Sequence, residues 1–167
     1  MKKLVSIIMG SDSDLEVMEE CAAVLEDFGI PYSLQVMSAH RTPGKVAEYA
    51  ASAARKGIKV MIAGAGAAAH LAGAVAANTT LPVIGVPLAA TLNGFDALLS
   101  TVQMPAGIPV ATVAVGSGGP PNAALFAVEI LALSDERLRA ALADHKRDLR
   151  DKGLAADAKL QAEVAAL

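Results

Sequence analysis

The chain has 167 residues, of which 54% are hydrophobic and only 3% are aromatic, so its core must consist mainly of small aliphatic side chains. This length fits one domain, which we divide into a main part over residues 1–153 and a helical tail of the same domain over residues 154–167. A net charge of −3 argues against a nucleic-acid-binding surface, and the single cysteine excludes an intrachain disulfide and a multi-cysteine metal site.

A long neutral segment lies in the middle of the chain. Between Val60 and Val128 the only charged side chain is that of Asp96. A membrane span needs about 20 consecutive apolar residues, but glycine, proline, asparagine and histidine interrupt this segment every few positions. Buried strands and large subunit interfaces explain it better, so we expect a homo-oligomer with no membrane or nucleic-acid partner. The lone Cys21 suits a reducing compartment, and we expect a cytoplasmic protein.

Five apolar runs of strand length alternate with helical patterns, which is typical of parallel βαβ units. We predict strands at residues 4–9, 32–37, 59–63, 82–86 and 110–115. We predict helices at residues 13–28, 42–56, 67–77, 95–102, 122–133, 134–152 and 154–167. This order predicts an α/β fold, namely a three-layer α/β/α sandwich around a flavodoxin-like parallel sheet of about five strands.

The loop after the first predicted strand has the composition of an anion site. Residues 10–14 read GSDSD and lead directly into a helix, where amides, hydroxyls and the helix dipole suit a phosphate group. The same residues also suit a helix N-cap, and the pentapeptide alone does not decide between the two interpretations.

The loop after the second strand places His40 beside Arg41 in the run SAHRTP. A guanidinium can bind a phosphate through two hydrogen bonds, and an imidazole can exchange protons near neutral pH. The carboxyl ends of parallel strands share one edge of a sheet, where ligands bind in such folds, so we expect both polar loops to form one site.

The loop after the third strand is rich in glycine and alanine and contains His70. Small residues let a backbone approach a ligand closely, but they also pack helices on sheets, so this run is weak evidence by itself. The sequence contains no P-loop, zinc-protease or nucleophile-elbow motif and no cluster of metal ligands. We therefore expect chemistry that uses one histidine, carboxylates and hydroxyls, without cofactor or metal.

Taken together, several motifs resemble the PurE family. GSDSD, SAHRTP, AGAGAAAHLAG, PVIGVP and LLSTVQMPAGIPVATV match it in order and spacing over about residues 1–133. The resemblance implies the three-layer fold, a compact octamer and an isomerase of purine (IMP) biosynthesis that moves a carboxylate from N5 to C4 of an aminoimidazole ribonucleotide. Ala67 stands where the family usually has glycine.

The resemblance also implies roles for individual residues. His40 would be the catalytic acid and base, which protonates N5 as carbon dioxide leaves and later removes the C4 proton. Arg41 with Ser11 and Ser13 would hold the 5′-phosphate, and Asp14 would hold the ribose. The remaining implied substrate-binding residues are Ser38, Ala63, Gly64 and Ala65 beside the imidazole and the carbon dioxide, and His70 and Leu71 in a loop that closes the site.

Two other functions remain open from the sequence. A second branch of the family carboxylates aminoimidazole ribonucleotide directly, although SAHRTP and the AHL of the third loop favour the first branch. A non-catalytic nucleotide-binding or receiver-like module can share the fold. A receiver needs a carboxylate after its third strand and a lysine near its fifth strand. This chain has neither the carboxylate nor the lysine at those positions.

Overall fold

A computed structural model describes residues 2–166 of the chain. Its strands are β1 (Val5–Met9), β2 (Tyr32–Val36), β3 (Val60–Gly66), β4 (Val83–Leu88) and β5 (Ala111–Thr112). Its helices are α1 (Leu15–Asp27), α2 (Pro43–Lys56), α3 (Leu71–Ala76), α4 (Phe95–Val102), α5 (Gly119–Ala132) and α6 (Glu136–Ala165).

The strands form one parallel sheet in the order β2-β1-β3-β4-β5. This is the flavodoxin-like order, so the predicted fold class is confirmed. Every residue of β1 and β4 is buried because helices cover both faces of the sheet, which explains why these strands are apolar throughout rather than alternating.

Two hydrophobic clusters lie on opposite faces of the sheet. On one face, Ile7 packs with residues of α1 and α5 such as Leu25 and Val128. On the other face, Ile8 packs with residues of α2 and α3 such as Val46 and Val75. Because neighbouring residues of a strand point to opposite faces, Ile7 and Ile8 each belong to a different cluster.

Two predicted elements are shorter in the structure than in the sequence analysis. β5 is an edge strand of two residues, since regular pairing with β4 is limited to Ala111 and Thr112. The third helix begins at Leu71 rather than at residue 67, because Ala67 has a left-handed backbone with φ of 51° and cannot belong to a right-handed helix.

The prediction of two separate C-terminal helices was wrong. α6 is one continuous helix of 30 residues that passes through Gly153 without a break. An interior glycine costs only about 1 kcal/mol relative to alanine, and the flanking alanine, leucine, lysine and glutamine residues favour helix. Leu167, the last residue of the predicted tail, lies outside the described residues. No helix within residues 2–166 is long and apolar enough to cross a membrane.

Candidate active site at the carboxyl edge of the sheet

A cavity of about 420 Å³ opens where the loops after β1, β2 and β3 meet. This is the edge of the sheet at which parallel α/β folds bind ligands. Its polar lining comes from Ser11, Asp14, Ser38, His40, Arg41 and His70, and its apolar lining includes Ala39, Ala65, Ala67, Ala68, Leu71 and Ala90. Side chains from three separate loops therefore face one common space.

The loop after β1 is a helix cap that also faces this cavity. The Ser11 amide donates to Oδ2 of Asp14 at 3.1 Å, and the Ser13 amide donates to Oγ of Ser11 at 3.3 Å. This reciprocal pair of hydrogen bonds is a capping box, so the prediction that residues 10–14 form a helix N-cap is correct. Since Ser11 and Asp14 also line the cavity, capping leaves them beside any ligand bound there.

Asp12 occupies the donors that an anion would use in this loop. Its Oδ1 accepts from the Ser11 hydroxyl and from the Ser13 amide, both at 3.1 Å. An anion that binds these two donors therefore has to displace a carboxylate.

Asp14 is partly buried beside the cavity. Burial raises the pKa of its carboxyl above the ordinary value, while the hydrogen bond from the Ser11 amide and the charge of Arg41 act in the opposite direction. The ionised carboxylate is thus less well solvated here than on an open surface, which favours hydrogen bonding to the hydroxyl groups of a ligand.

A hydrogen-bonded turn presents His40 and Arg41 to the cavity. The Ser38 hydroxyl oxygen accepts from the amides of His40 at 3.3 Å and Arg41 at 3.1 Å. At the end of the turn, Oγ1 of Thr42 accepts from the Ser38 amide at 3.0 Å and donates to the Ser38 carbonyl at 3.1 Å. Sequence analysis missed Thr42, although a serine and a threonine four positions apart before a proline are a recognisable turn signal.

The two histidines of the cavity contact each other directly. Nε2 of His40 lies 2.7 Å from Nδ1 of His70, and the rings meet edge to face with centroids 4.9 Å apart. One of these nitrogens must donate and the other accept, so the contact couples the tautomers of the two rings. Sequence analysis placed both histidines near the site but did not predict their contact.

Arg41 spans the gap between the first two loops. Its NH2 group donates to the carbonyl oxygen of Gly10 at 2.8 Å, and it forms no salt bridge with any residue in the described part of the chain. Its positive charge and remaining N–H groups are thus available to an anion at the cavity mouth.

Three predicted substrate-binding residues do not line this cavity. Ser13 faces a neighbouring cavity of about 430 Å³, which shares Asp14 and Ala90 with the first. Ala63 and Gly64 lie inside the buried part of β3. A side chain at Gly64 would overlap the Met18 thioether, so packing in the core explains the glycine. Residues 2–166 contain no group of three or more metal-binding side chains.

The fold and the cavity define a flavodoxin-like α/β protein with a guanidinium and two hydrogen-bonded imidazoles at the carboxyl edge of its sheet. The particular family is now identifiable: the chain belongs to the AIR carboxylase family, whose model matches residues 4–152. The predicted PurE resemblance is thereby confirmed.

Known proteins similar to this chain agree with the family. The N5-carboxyaminoimidazole ribonucleotide mutase of Pyrococcus horikoshii is 56% identical over 156 residues, which cover 90% of this chain and 87% of that protein. The phosphoribosylaminoimidazole carboxylase of Saccharomyces cerevisiae is 58% identical over 136 residues, which cover 81% of this chain but 24% of that longer protein. The crystal structure of Treponema denticola PurE2-S38D superimposes with a TM-score of 0.86 at 31% identity, covering 96% of this chain and 99% of that one.

Proposed function

We propose that this chain is an isomerase of de novo purine biosynthesis that converts N5-carboxyaminoimidazole ribonucleotide to 4-carboxy-5-aminoimidazole ribonucleotide. The observation that carries the proposal is the position of His40 in one cavity with Arg41 and with the capped loop of Ser11 and Asp14. The name of the Pyrococcus horikoshii relative supports the same reaction.

The cavity can hold a ribonucleotide by its two polar ends. Arg41 binds the 5′-phosphate, and the Ser11 hydroxyl and the Ser13 amide join it once Asp12 has been displaced from both donors. Asp14 then accepts hydrogen bonds from the ribose hydroxyls. This arrangement directs the base toward His40 and the backbone at the end of β3, where Ala65 lines the cavity.

His40 carries out both proton transfers of the reaction. As the bond between N5 and the carboxylate carbon breaks, carbon dioxide leaves and His40 delivers a proton to N5. C4 then attacks the carbon dioxide, a carbon–carbon bond forms, and His40 removes the C4 proton. The histidine ends in its starting protonation state, so one residue suffices for both steps.

The apolar walls retain the carbon dioxide between these two steps. Ala39, Ala65, Ala67 and Leu71 line the cavity without amines that could react with carbon dioxide. Excluding water also strengthens the hydrogen bonds that orient the ribonucleotide.

A direct carboxylase reaction is the second candidate, because the Saccharomyces cerevisiae relative at 58% identity is named a carboxylase. An assay with each substrate separates the two reactions. We expect the purified protein to convert N5-carboxyaminoimidazole ribonucleotide without bicarbonate, ATP, biotin or metal. Turnover of only aminoimidazole ribonucleotide, at high carbon dioxide concentration, would replace the mutase proposal with the carboxylase one.

The protein is further proposed to work as a homo-oligomer, and specifically as an octamer. We define the α4 stripe as Phe95, Leu99 and Val102, which follow one another at helical spacing on α4 and are 64%, 54% and 46% exposed. Leu92, in the turn just before α4, is 74% exposed. An apolar stripe of this size on an isolated subunit is typical of a subunit interface. It lies within the neutral segment whose single charge is Asp96.

Two broader expectations accompany this proposal. The whole chain acts as one domain, with residues 154–167 as its helical tail. It works in the cytoplasm, where a free thiol such as that of Cys21 stays reduced.

A further inference from the structure

The helix that follows the turn of His40 and Arg41 begins at a threonine whose side chain does not cap it. Thr42 occupies the N-cap position of α2, where a threonine hydroxyl usually accepts from an amide of the first helical turn. Its side chain makes no such bond, and the next residue, Pro43, has no N–H to offer. Oγ1 of Thr42 points back instead, accepting from the Ser38 amide at 3.0 Å and donating to the Ser38 carbonyl at 3.1 Å. The hydroxyl is therefore used by the turn and not by the helix.

These bonds close the turn by joining its first residue to its last. The Thr42 amide also donates to the Ser38 carbonyl, at 2.9 Å, so three hydrogen bonds connect the two residues. Inside the turn, the Ser38 hydroxyl oxygen accepts from the amides of His40 and Arg41. All five bonds involve Ser38, so the orientation of Ser38 fixes the backbone that carries the ring and the guanidinium. Thr42 holds Ser38 in that orientation.

Packing contributes little to the position of this turn. The side chains of residues 40–42 are exposed in the described chain. The nearest buried anchors are Met37, which is 2% exposed, and Val46, which is 1% exposed, and they lie on either side of the turn. Beyond the turn, one imidazole contacts His70 and the guanidinium donates to the Gly10 carbonyl. Between the anchors, hydrogen bonds therefore determine where the two functional side chains lie.

We propose that Thr42 is a positioning residue, whose hydroxyl closes the turn and thereby orients both the proton-transferring ring of His40 and the guanidinium of Arg41. Thr42 does not line the cavity, so it acts through the turn rather than by touching the substrate. The importance of this order for turnover rests on the proposed function, whereas the order of the turn itself does not.

Hydrogen exchange tests the order of the turn without any assay of turnover. Thr42→Val keeps the shape of the side chain and removes its hydroxyl. Peptides that contain residues 38–42 should then exchange roughly threefold to tenfold faster, because one neutral hydrogen bond changes an opening equilibrium by about that factor. Thr42→Ser keeps the hydroxyl and should exchange at the wild-type rate. Unchanged exchange in Thr42→Val would overturn the inference, whatever the enzyme catalyses.

Thr79→Val is the matched control for loss of a threonine hydroxyl. Oγ1 of Thr79 accepts from the Leu81 amide at 3.3 Å in the loop before β4, at the opposite edge of the sheet from the cavity. This variant should leave the exchange of residues 38–42, the turnover rate and ribonucleotide binding unchanged. Equal losses of activity in Thr42→Val and Thr79→Val would attribute the effect to general destabilisation and overturn the positioning role.

Kinetics should show a loss of both rate and affinity. Because His40 is proposed to carry the proton and Arg41 to bind the phosphate, Thr42→Val should lower kcat and weaken ribonucleotide binding, each roughly threefold to tenfold. Thr42→Ser should restore both. In a His40→Asn background the valine change should lower kcat no further, and in an Arg41→Ala background it should weaken binding no further. The same losses in these backgrounds as in the wild type would show that Thr42 does not act through the two side chains.

Two outcomes separate this inference from the proposed function. A wild-type protein inactive on both ribonucleotides would refute the proposed function while leaving the exchange test of Thr42 in force. Faster exchange in Thr42→Val with unchanged kcat and affinity would overturn the positioning role while leaving the proposed function intact. If Thr42→Val does not fold, Thr42→Ala removes the same hydroxyl with a smaller side chain and takes its place in each test.

Discussion

Nε2 of His40 and Nδ1 of His70 lie 2.7 Å apart although the residues are 30 positions apart on loops from different strands. His40 is the proposed proton carrier, so His40→Asn should remove the titrating group while keeping a polar side chain. We expect this variant to bind the ribonucleotide but to lose roughly a hundredfold or more in kcat. Calorimetry for binding and a product assay for rate measure the two effects separately.

His145→Asn is the matched control for this experiment, because His145 lies on α6 against Phe28 and away from the cavity. It should turn over at the wild-type rate. Normal turnover by His40→Asn would require the proton carrier to be reassigned, and His70 is the other histidine that lines the cavity.

Arg41 should determine affinity for the phosphate group rather than for the base. Losing a charge-assisted hydrogen-bonding partner costs about 1.5–3 kcal/mol, so Arg41→Ala should weaken ribonucleotide binding by at least tenfold. Arg41→Lys should recover only part of the affinity, since an ammonium group cannot bind a phosphate through a planar fork. The dephosphorylated nucleoside should bind equally to all three proteins.

Arg55→Ala provides the control for charge alone, because Arg55 lies in the last turn of α2, at the opposite end from the site. Its affinity for the ribonucleotide should equal that of the wild type. If Arg41→Ala instead weakened ribonucleotide and nucleoside to the same extent, the phosphate would not bind at Arg41.

The architecture was predictable from the sequence because its signals are local. The apolar run of β1 and the proline at the start of α2 each specify an element independently of the rest of the chain. The edge strand β5 was overestimated because its residues are strand formers, whereas the length of a ladder depends on the partner strand. The continuity of α6 depends on the absence of any stronger stop signal around Gly153.

The location of the site was predictable from one rule, namely that the loops after the strands of a parallel sheet meet at the same edge. That rule brought Ser11, His40 and Arg41 together. It does not separate residues that face the cavity from those inside a strand. Ala63 and Gly64, which the family resemblance added to the candidates, lie inside β3. The contact between His40 and His70 joins two loops that are 30 positions apart in the chain, and no pattern of residue types reveals how close their side chains come.

Asp14 should make stability depend on pH through its partial burial. Because burial raises the pKa of this carboxyl above its ordinary value of 3.8, the ionised form is the disfavoured one in the folded protein. Its contribution to stability is therefore greatest below the ordinary pKa and is lost as the pH rises through the folded-state value.

Asp14→Asn removes this charge while keeping an oxygen that can accept from the Ser11 amide. The variant should melt at a slightly higher temperature than the wild type at pH 7, and the difference should disappear below about pH 4 as the wild-type carboxyl becomes protonated. Thermal melts across this range are the measurement. A variant less stable than the wild type at pH 7 would mean that the cap needs the charge.

Cys21 should be unreactive in the folded protein. Burial raises the pKa of its thiol to about 12, and the thiol donates to the carbonyl oxygen of Pro120 at 2.9 Å. A maleimide reacts with the thiolate, so labelling at pH 8 should proceed only as fast as the protein opens. Full labelling within minutes under native conditions, at a rate unaffected by substrate, would contradict this prediction.

The α4 stripe should hold the subunits together. Burying an exposed leucine contributes about 1.5–3 kcal/mol, and placing a carboxylate there instead puts a charge into the interface. Leu99→Glu should therefore shift the mass measured by light scattering from that of the assembly toward that of a smaller species, with the circular dichroism of the folded chain retained.

Ala51→Glu adds the same charge to an exposed position on α2 and should leave the assembly intact. A monomeric wild type at micromolar concentration would refute the octamer, and an unchanged mass for Leu99→Glu would place the interface on another surface.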